Sequence, residues 1–536
     1  MDRKVNGLFT ESSSFYYVNK PIGEVRTIER DILIGIDIGT SGCKTAAYTI
    51  DGSVLGTVTE AYNVNRRTAL EAEQDAEDWW NAVCLNIQKL INEKGVDPAR
   101  VLAIGVVGHS WATLPVNRQG CPLHPAMLWL DRRALSECEK IREDIGEDYV
   151  LSVSGNRIDP AYCVPKMMWL QHQKPDVYKS TYKFLQSNSY IVHRLTGEFT
   201  QDASQGYGYY VFDIEKRDWS EEALEKFQID PDLLPDVFES DTVVGQVTRQ
   251  AAEATGLVPG IPVIAGGVDC AAACLGADIT EHLETQEQAG QAGGMTICTD
   301  RPYRDSRLIS GCHVLRDRWH LSGGTVSGGV LNWIYQQVLG TGFYDSSLLE
   351  NQDPFELLSE EAAQAEPGSG GLIFLPYMAG ERTPIWDPLA KGVFVGLSYE
   401  KKRSEIIRAL MEGAAMALRH NLEVAASVGA QPANLVSVGG GSKSAVWCQI
   451  KADVTGVALG VPNMQDGTVF GAAFLAGIGV GAFDDYKAAL KRIVKVEKWY
   501  EPQSEFKGLY DDLYEAYLMS YQSLRLVMHK LAKITE

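Results

Sequence analysis

The chain has 536 residues and a net charge of −21, which excludes a single-core domain and argues against a nucleic-acid or anionic-membrane binder. With 45% hydrophobic and 22% charged residues and no apolar run of membrane-spanning length, it reads as a soluble protein of two large domains. Its ten cysteines form no CxxC pair, so buried reduced thiols in the cytoplasm are expected, without a thiol metal site.

Residues 1–30 lack a signal-peptide core and read as an extension. From Ile32 onward strands and helices alternate, the pattern of an α/β fold. Ile32 to Ile38 is apolar enough for a buried strand and carries one charge, Asp37, near its end. Gly39-Thr40-Ser41-Gly42 then turns the chain sharply, and Thr45 to Ile50 runs back to an Asp51-Gly52 turn. The hydroxyls and backbone N–H groups of such a turn can cradle phosphate oxygens, with Asp37 beside them for Mg²⁺. An ordinary hairpin is the bland alternative. The spacing is neither a P-loop nor a dinucleotide fingerprint, because the turn leads into a strand.

A helix is expected after Glu73-Gln74-Asp75, with an apolar face through Leu85 and Leu90. Val101 to Val107 is a buried strand ending in Gly108-His109-Ser110-Trp111-Ala112, and strand ends of this kind face the ligand crevice in open α/β sheets. The run Ala126 to Trp129 ends at Asp131-Arg132-Arg133, which fits an anion site or a salt bridge equally. Tyr207, Tyr209, Tyr210 and Phe212 form an aromatic patch, for which core packing outweighs sugar stacking. Gly266-Gly267-Val268-Asp269-Cys270 closes a strand and opens an Ala-rich helix. Asp269 there serves either as helix N-cap or as a general base.

Past residue 278 the pattern breaks, marking a domain boundary. Gly290-Gln291-Ala292-Gly293 and Ser327-Gly328-Gly329 are further glycine turns, and Pro367 to Gly371 reads as a flexible linker. Ser404 to Leu422 keeps helical spacing, with Ser404 as N-cap and Gly413 marking close packing. Gly439-Gly440-Gly441 follows a strand and removes side chains where an aromatic base can lie. Phe506 to Leu531 reads as an amphipathic helix without chemistry of its own.

Five blocks in order carry a resemblance: Asp37 to Gly42; Trp129 to Ala134; Gly266 to Asp269; Gly380-Glu381-Arg382-Thr383-Pro384 through Leu397; and Gly439 to Lys443 with Trp447, Gln449 and Asp453. Together they resemble the FGGY family of carbohydrate kinases, most closely its xylulokinase-type members. The resemblance implies two ribonuclease-H-like domains around a cleft: residues 31–277 binding a sugar or polyol, residues 278–500 binding ATP, and a C-terminal helix over 501–536. It implies Asp269 as catalytic base and Asp37 as the Mg²⁺ residue, with Thr40 and Ser41 on the transferred phosphate. Ser110, Trp111, Asp131, Asp269 and Cys270 would face the sugar, and Gln291, Gly328, Asn332, Gly440 and Gly441 the nucleotide.

Two departures stand out. Xylulokinases typically have Gly-Gln-Met-His-Gly where this chain has Gly108-His109-Ser110-Trp111-Ala112, and often Asn or Gln where it has Cys270. A site that lacks those polar contacts should take another ketose, a polyol, or a modified or deoxy sugar. Gln291 replaces a hydroxyl of the second phosphate turn. An ATP-dependent sugar or polyol kinase is therefore the leading expectation. A catalytically weak sugar- or nucleotide-binding sensor is the alternative, and an actin-like assembly protein is disfavoured by the signature from Gly380 to Leu397. A homodimer is expected only from the general prevalence of symmetric pairs.

Overall fold

The computed structural model describes residues 30–340, 342–344, 352–464 and 466–535. The expected N-terminal extension lies outside them, apart from Arg30. Two seven-stranded mixed sheets organise the described residues.

The first sheet is built on β1 (Ile32–Ile38), whose isoleucines are all buried. It pairs antiparallel with β2 (Gly42–Thr49), which pairs in turn with β3 (Val54–Ala61). On its other side it pairs parallel with β4 (Val101–Gly108). Beyond lie β5 (Val243–Gln246) and β6 (Pro262–Ile264), and the two-residue β7 (Gly267–Val268) also joins β4. Helix α1 (Ala76–Asn92) covers one face, with Asp75 accepting from Glu77 N–H at its N-terminus. Its inward stripe is Trp79, Val83, Ile87 and Leu90; Leu85, expected on that face, is 46% exposed because it falls out of this spacing. The run Ala126 to Trp129 is strand only at Ala126–Met127.

The second sheet repeats the plan. Hairpin β8 (Thr285–Ala289) and β9 (Ala292–Thr299) is extended by β10 (Ile309–Cys312) and β11 (Trp319–Val326) on one side. On the other side β8 pairs parallel with β12 (Asn434–Val438), followed by β13 (Ala458–Pro462) and β14 (Val496–Tyr500). A buried Lys451–Glu287 ion pair (2.7 Å), with Ser437 donating to the same carboxylate, ties the helix after β12 to β8.

Five expectations are corrected or sharpened here. Asp269 is the first residue of helix α2 (Asp269–Gly276), with Val268 at the N-cap position. The helix expected from Ser404 is α3 (Arg403–Ser427), capped by Lys402, because Glu405 reaches back to accept its backbone N–H (2.8 Å). The supposed linker at Pro367 to Gly371 is a pinned turn: Gly368 N–H and Ser369 Oγ both donate to Glu412. Gly413 is as tightly packed as its mid-helix place implied, since a Cβ there would lie 2.4 Å from Phe374 O. The aromatic patch is core: Tyr207, Tyr209, Tyr210 and Phe212 are each at most 2% exposed.

Helix α4 (Ala445–Thr455) backs the second sheet. Helix α5 (Gly467–Gly479) comes late in the chain yet lies across β1 and β4 of the first sheet, against α2. Its approach is backbone to backbone: a Cβ on Gly35 would sit 2.0 Å from Val469 O, and one on Gly471 1.9 Å from Ala272 O. Helix α6 (Lys507–Thr535) closes the chain over the second half. None of the described helices is long and apolar enough to cross a membrane.

Candidate active site

Strand register brings the two key carboxylates together. Ile38 and Val268 both pair with Gly108, so Asp37, one residue before Ile38, and Asp269, one residue after Val268, emerge at the same sheet edge. Both are surrounded by protein yet remain partly open to the cleft. Burial, then the charge of Asp269, pushes the Asp37 carboxyl up to about 7, against the pull of Lys44. Burial likewise raises Asp269 to about 6, opposed by the Cys270 N–H (2.7 Å) and by Arg382. Asp37 Oδ1 is buried without a hydrogen-bond partner. Lys44 is paired with Asp466 at 2.7 Å.

The turn after Asp37 is braced from several sides. Gly39 N–H donates to Gly42 O (3.0 Å), Tyr62 OH to Gly39 O (2.7 Å) and Gln74 Nε2 to Thr40 O (2.8 Å). Thr40 Oγ1 accepts from Trp129 Nε1 at 3.0 Å. Ser41 is exposed. This pre-orders the loop without filling it, leaving polar groups for an anion.

At the end of β4 the backbone is strained. Trp111 has φ +63°, a left-handed value rare for a bulky residue, which costs on the order of 1–3 kcal/mol. Its N–H donates to Gln186 Oε1 (3.0 Å) and its carbonyl accepts from Lys166 Nζ (2.8 Å), so two buried side chains hold the conformation. The indole stacks on Tyr162 (4.3 Å) and meets the edge of Tyr207 (5.8 Å). Its Nε1 is buried without a partner. Ser110 Oγ is hydrogen-bonded to Tyr207 OH at 2.9 Å. The Cys270 thiol stays protonated, because burial and then Asp269 raise its pKa. Neighbouring His109 is neutral, held near 4 by burial.

Asp131 is not part of this constellation. It is fully buried, and its oxygens accept from Ala72 N–H, Arg133 N–H and the Arg133 guanidinium. Arg132 is paired with Asp159. The salt-bridge alternative therefore holds for this motif, and the expected sugar contact by Asp131 is withdrawn.

On the other side Gln291, Gly328, Asn332, Gly440 and Gly441 all line one cavity of about 730 Å³, with Trp447 also in its lining. Gly328 N–H donates to Gly290 O (2.8 Å) and Gly329 N–H to Gln291 O (2.9 Å), knitting two glycine turns together. Gly439 has φ +105°, and a Cβ on Gly440 would meet nothing within 4 Å, so the chain presents bare backbone to the cavity. A slot of this volume and composition suits a nucleotide.

Several participants gave no local signal in the sequence. Lys166 is fully buried, bonded to the carbonyls of Trp111 and Ala161, and burial lowers it to about 8. Gln205 Nε2 bonds Gly108 O (3.0 Å). Glu381, raised to about 7 by burial, accepts from Thr325 Oγ1 and Arg382 N–H. Among the described residues no group of three or more His, Cys, Asp or Glu side chains is placed to hold a metal by itself.

Comparison with known proteins gives one answer. Residues 32–276 match the N-terminal domain, and residues 295–480 the C-terminal domain, of the FGGY family of carbohydrate kinases. The xylulose kinase of Escherichia coli (strain K12) is 31% identical over 92% of this chain and 99% of its own. The crystal structure of a xylulose kinase from Rhodospirillum rubrum superposes with a TM-score of 0.82 at 26% identity, over 93% of this chain and 100% of that one. A gluconate kinase structure from Lactobacillus acidophilus shares the fold, with a TM-score of 0.85 at 24% identity, over 93% of this chain and 99% of that one. With both domain models matched in order across most of its length, the chain belongs to the FGGY family of carbohydrate kinases and is an ATP-dependent sugar kinase.

Proposed function

We propose that Asp269 is the general base that takes the proton of a sugar or polyol hydroxyl as its oxygen attacks the γ-phosphorus of ATP and ADP leaves. A pKa raised to about 6 keeps Asp269 ionised at neutral pH while making it a better proton acceptor than an ordinary carboxylate. Asp37 is the residue for Mg²⁺. Its buried Oδ1 has no protein partner, and the Asp269 charge beside it raises its carboxyl, a repulsion that a hard divalent cation would relieve. Such an ion, shared with the phosphates and water, would neutralise phosphate charge. Thr40 and Ser41 contact the transferred phosphate, and Gln291, Gly328, Asn332, Gly440 and Gly441 hold the nucleotide. Residues 31–277 then serve as the sugar-binding domain and 278–500 as the nucleotide domain, although α5 straddles that division.

The substrate is a ketose, a polyol, or a modified or deoxy sugar, other than D-xylulose. The observation that carries this is the strand end itself, where Trp111 is packed into the core against Tyr162 and Tyr207 and the Ser110 hydroxyl is already bonded to Tyr207 OH. A buried indole and an already paired hydroxyl leave a sugar few hydroxyl partners at this strand end. The names of the relatives include both xylulose and gluconate kinases, so the fold accommodates more than one acceptor. ADP release with Mg-ATP across a panel of ketoses, aldoses and polyols tests both points, with Asp269→Asn beside the wild type. Turnover on one compound, lost in the variant, is expected. D-xylulose outperforming every other compound would sink the substrate assignment, and full turnover by Asp269→Asn would remove the base.

A further inference from the structure

We propose that Arg382 is a further catalytic residue: its guanidinium, carried by the second half of the chain, receives the charge that develops on the transferring phosphoryl group at the turn carried by the first half. This rests on the reading of Asp269 as base and of the Thr40 turn as the phosphate seat.

Arg382 is anchored on the nucleotide side. Its N–H donates to Glu381 Oε1 (2.9 Å), and Glu381 Oε2 accepts from Thr325 Oγ1 (2.9 Å). Thr383 Oγ1 donates to Gly324 O (3.0 Å), and Asn421 Nδ2 to Thr383 O (3.3 Å). The segment is thus pinned to β11 and α3. Its guanidinium lies against Gly324 of that strand and reaches Trp129 of the first half. The guanidinium lies 4.6 Å from the ring centroid of Trp129, and Trp129 Nε1 donates to Thr40 Oγ1 (3.0 Å). It is close enough to Asp269 for its charge to lower that carboxyl. A side chain at Gly324 would crowd it, since a Cβ there would come 2.8 Å from Nη2.

What it lacks is as informative. Arg133, Arg408 and Arg419 each engage a carboxylate. Among the described residues, no ion pair or hydrogen bond engages the Arg382 guanidinium, in a chain with 70 acidic residues. The adjacent Glu381 is turned toward Thr325 instead. Stacking holds the plane of the guanidinium and leaves its N–H edges free, the geometry that suits phosphate oxygens. During transfer the sugar oxygen bonds to the γ-phosphorus, the bond from that phosphorus to the bridging oxygen breaks, the hydroxyl proton passes to Asp269, and ADP departs. Arg382 only donates N–H bonds to the non-bridging oxygens, and it does so once the two halves present their parts together.

The test uses the full chain, Mg-ATP and the preferred compound of the panel. Arg382→Ala is expected to lower kcat about 10³-fold, within the range measured for arginines that serve phosphoryl transfer, while both KM values stay within about threefold, the pattern of an interaction made only in the transition state. About 50 mM guanidinium chloride should restore at least tenfold of the loss, and Arg382→Lys should recover little, because a lysine cannot give the forked contact. An Arg382→Ala enzyme with kcat within threefold of wild type overturns the proposal. So does a raised sugar KM at unchanged kcat, which would make Arg382 a substrate-binding residue. Should the alanine variant not fold, Arg382→Gln, checked by its thermal melt, answers the same question by its kcat. Wild-type turnover that is lost in Asp269→Asn but kept in Arg382→Ala separates failure of this idea from failure of the base assignment.

Discussion

The two sides of the cleft are built on opposite principles. On the first side, the proposed function lies in side chains held at a cost: two carboxyls raised by burial, Asp37 also by the charge of Asp269, a tryptophan in a left-handed backbone, and a lysine buried among carbonyls. On the second side it lies in the absence of side chains, with Gly328, Gly440 and Gly441 exposing backbone along a slot. In the proposed assignment the first side discriminates among similar polyhydroxy compounds and performs proton transfer, which demands specific groups. The second would seat a large ligand offering phosphates and a flat ring, for which shape and backbone donors suffice.

This contrast can be attacked by substitution on each side. The largest effect is expected for Asp269→Asn, which removes the base while keeping the shape and should cost kcat roughly 10³-fold. A loss below tenfold in a stopped assay of ADP release would place the proton acceptor elsewhere. Next comes Gly440→Val, which fills open cavity without a backbone clash. It should raise KM for ATP about tenfold, or ~1.4 kcal/mol, and leave the sugar KM unchanged. An unchanged ATP KM breaks the claim that bare backbone is the binding surface.

Smaller effects should sharpen the first side. In the double variant Ser110→Met with Trp111→His, histidine tolerates positive φ better than tryptophan and adds a polar edge. The ratio of kcat/KM for D-xylulose to that for the preferred compound should rise about tenfold, and an unchanged ranking over the panel counts against Ser110 and Trp111 as selectors. The smallest effect is thermodynamic. The Asp37 carboxyl titrates at about 7 in the fold and near 3.9 when unfolded. Between those values the folded chain keeps a proton that the unfolded chain has released, so stability from this group falls as pH rises through the window. Asp37→Asn, without Mg²⁺, should thus be more stable than wild type at pH 8 by roughly 1–2 kcal/mol, with solvent access trimming the full shift. The gap should close by pH 4, and equal melting temperatures at pH 8 would show that Asp37 carries no such penalty.

Much of this was legible in the chain because it is encoded locally. A strand ending in Asp-Ile-Gly-Thr-Ser-Gly or Gly-Gly-Val-Asp announces both the turn and its acid, and three successive glycines announce a bare surface. What was not legible depends on partners far away in sequence. Asp131 looked like a site residue until Arg133 and the Ala72 N–H were seen to saturate it. The turn at Gly368 reads as flexible until Glu412 is found beneath it. Arg382 and Trp129 meet only through the fold. The helix start moved by a residue for a local reason instead, since Glu405 reaches back three residues to accept the Lys402 N–H.

Helix α5 has a consequence for how the protein is made. Val469, Phe470, Ala473 and Phe474 share the core of Leu33, Ala46, Tyr48 and Ala103. The first sheet is complete by Val268, yet this cover emerges some two hundred residues later. At 5–20 residues per second, the interval on a ribosome is roughly 10–40 s. For that time the nascent first half carries a bare apolar sheet face, which makes it a natural client for chaperones, and a fragment ending near residue 277 would carry the same face permanently.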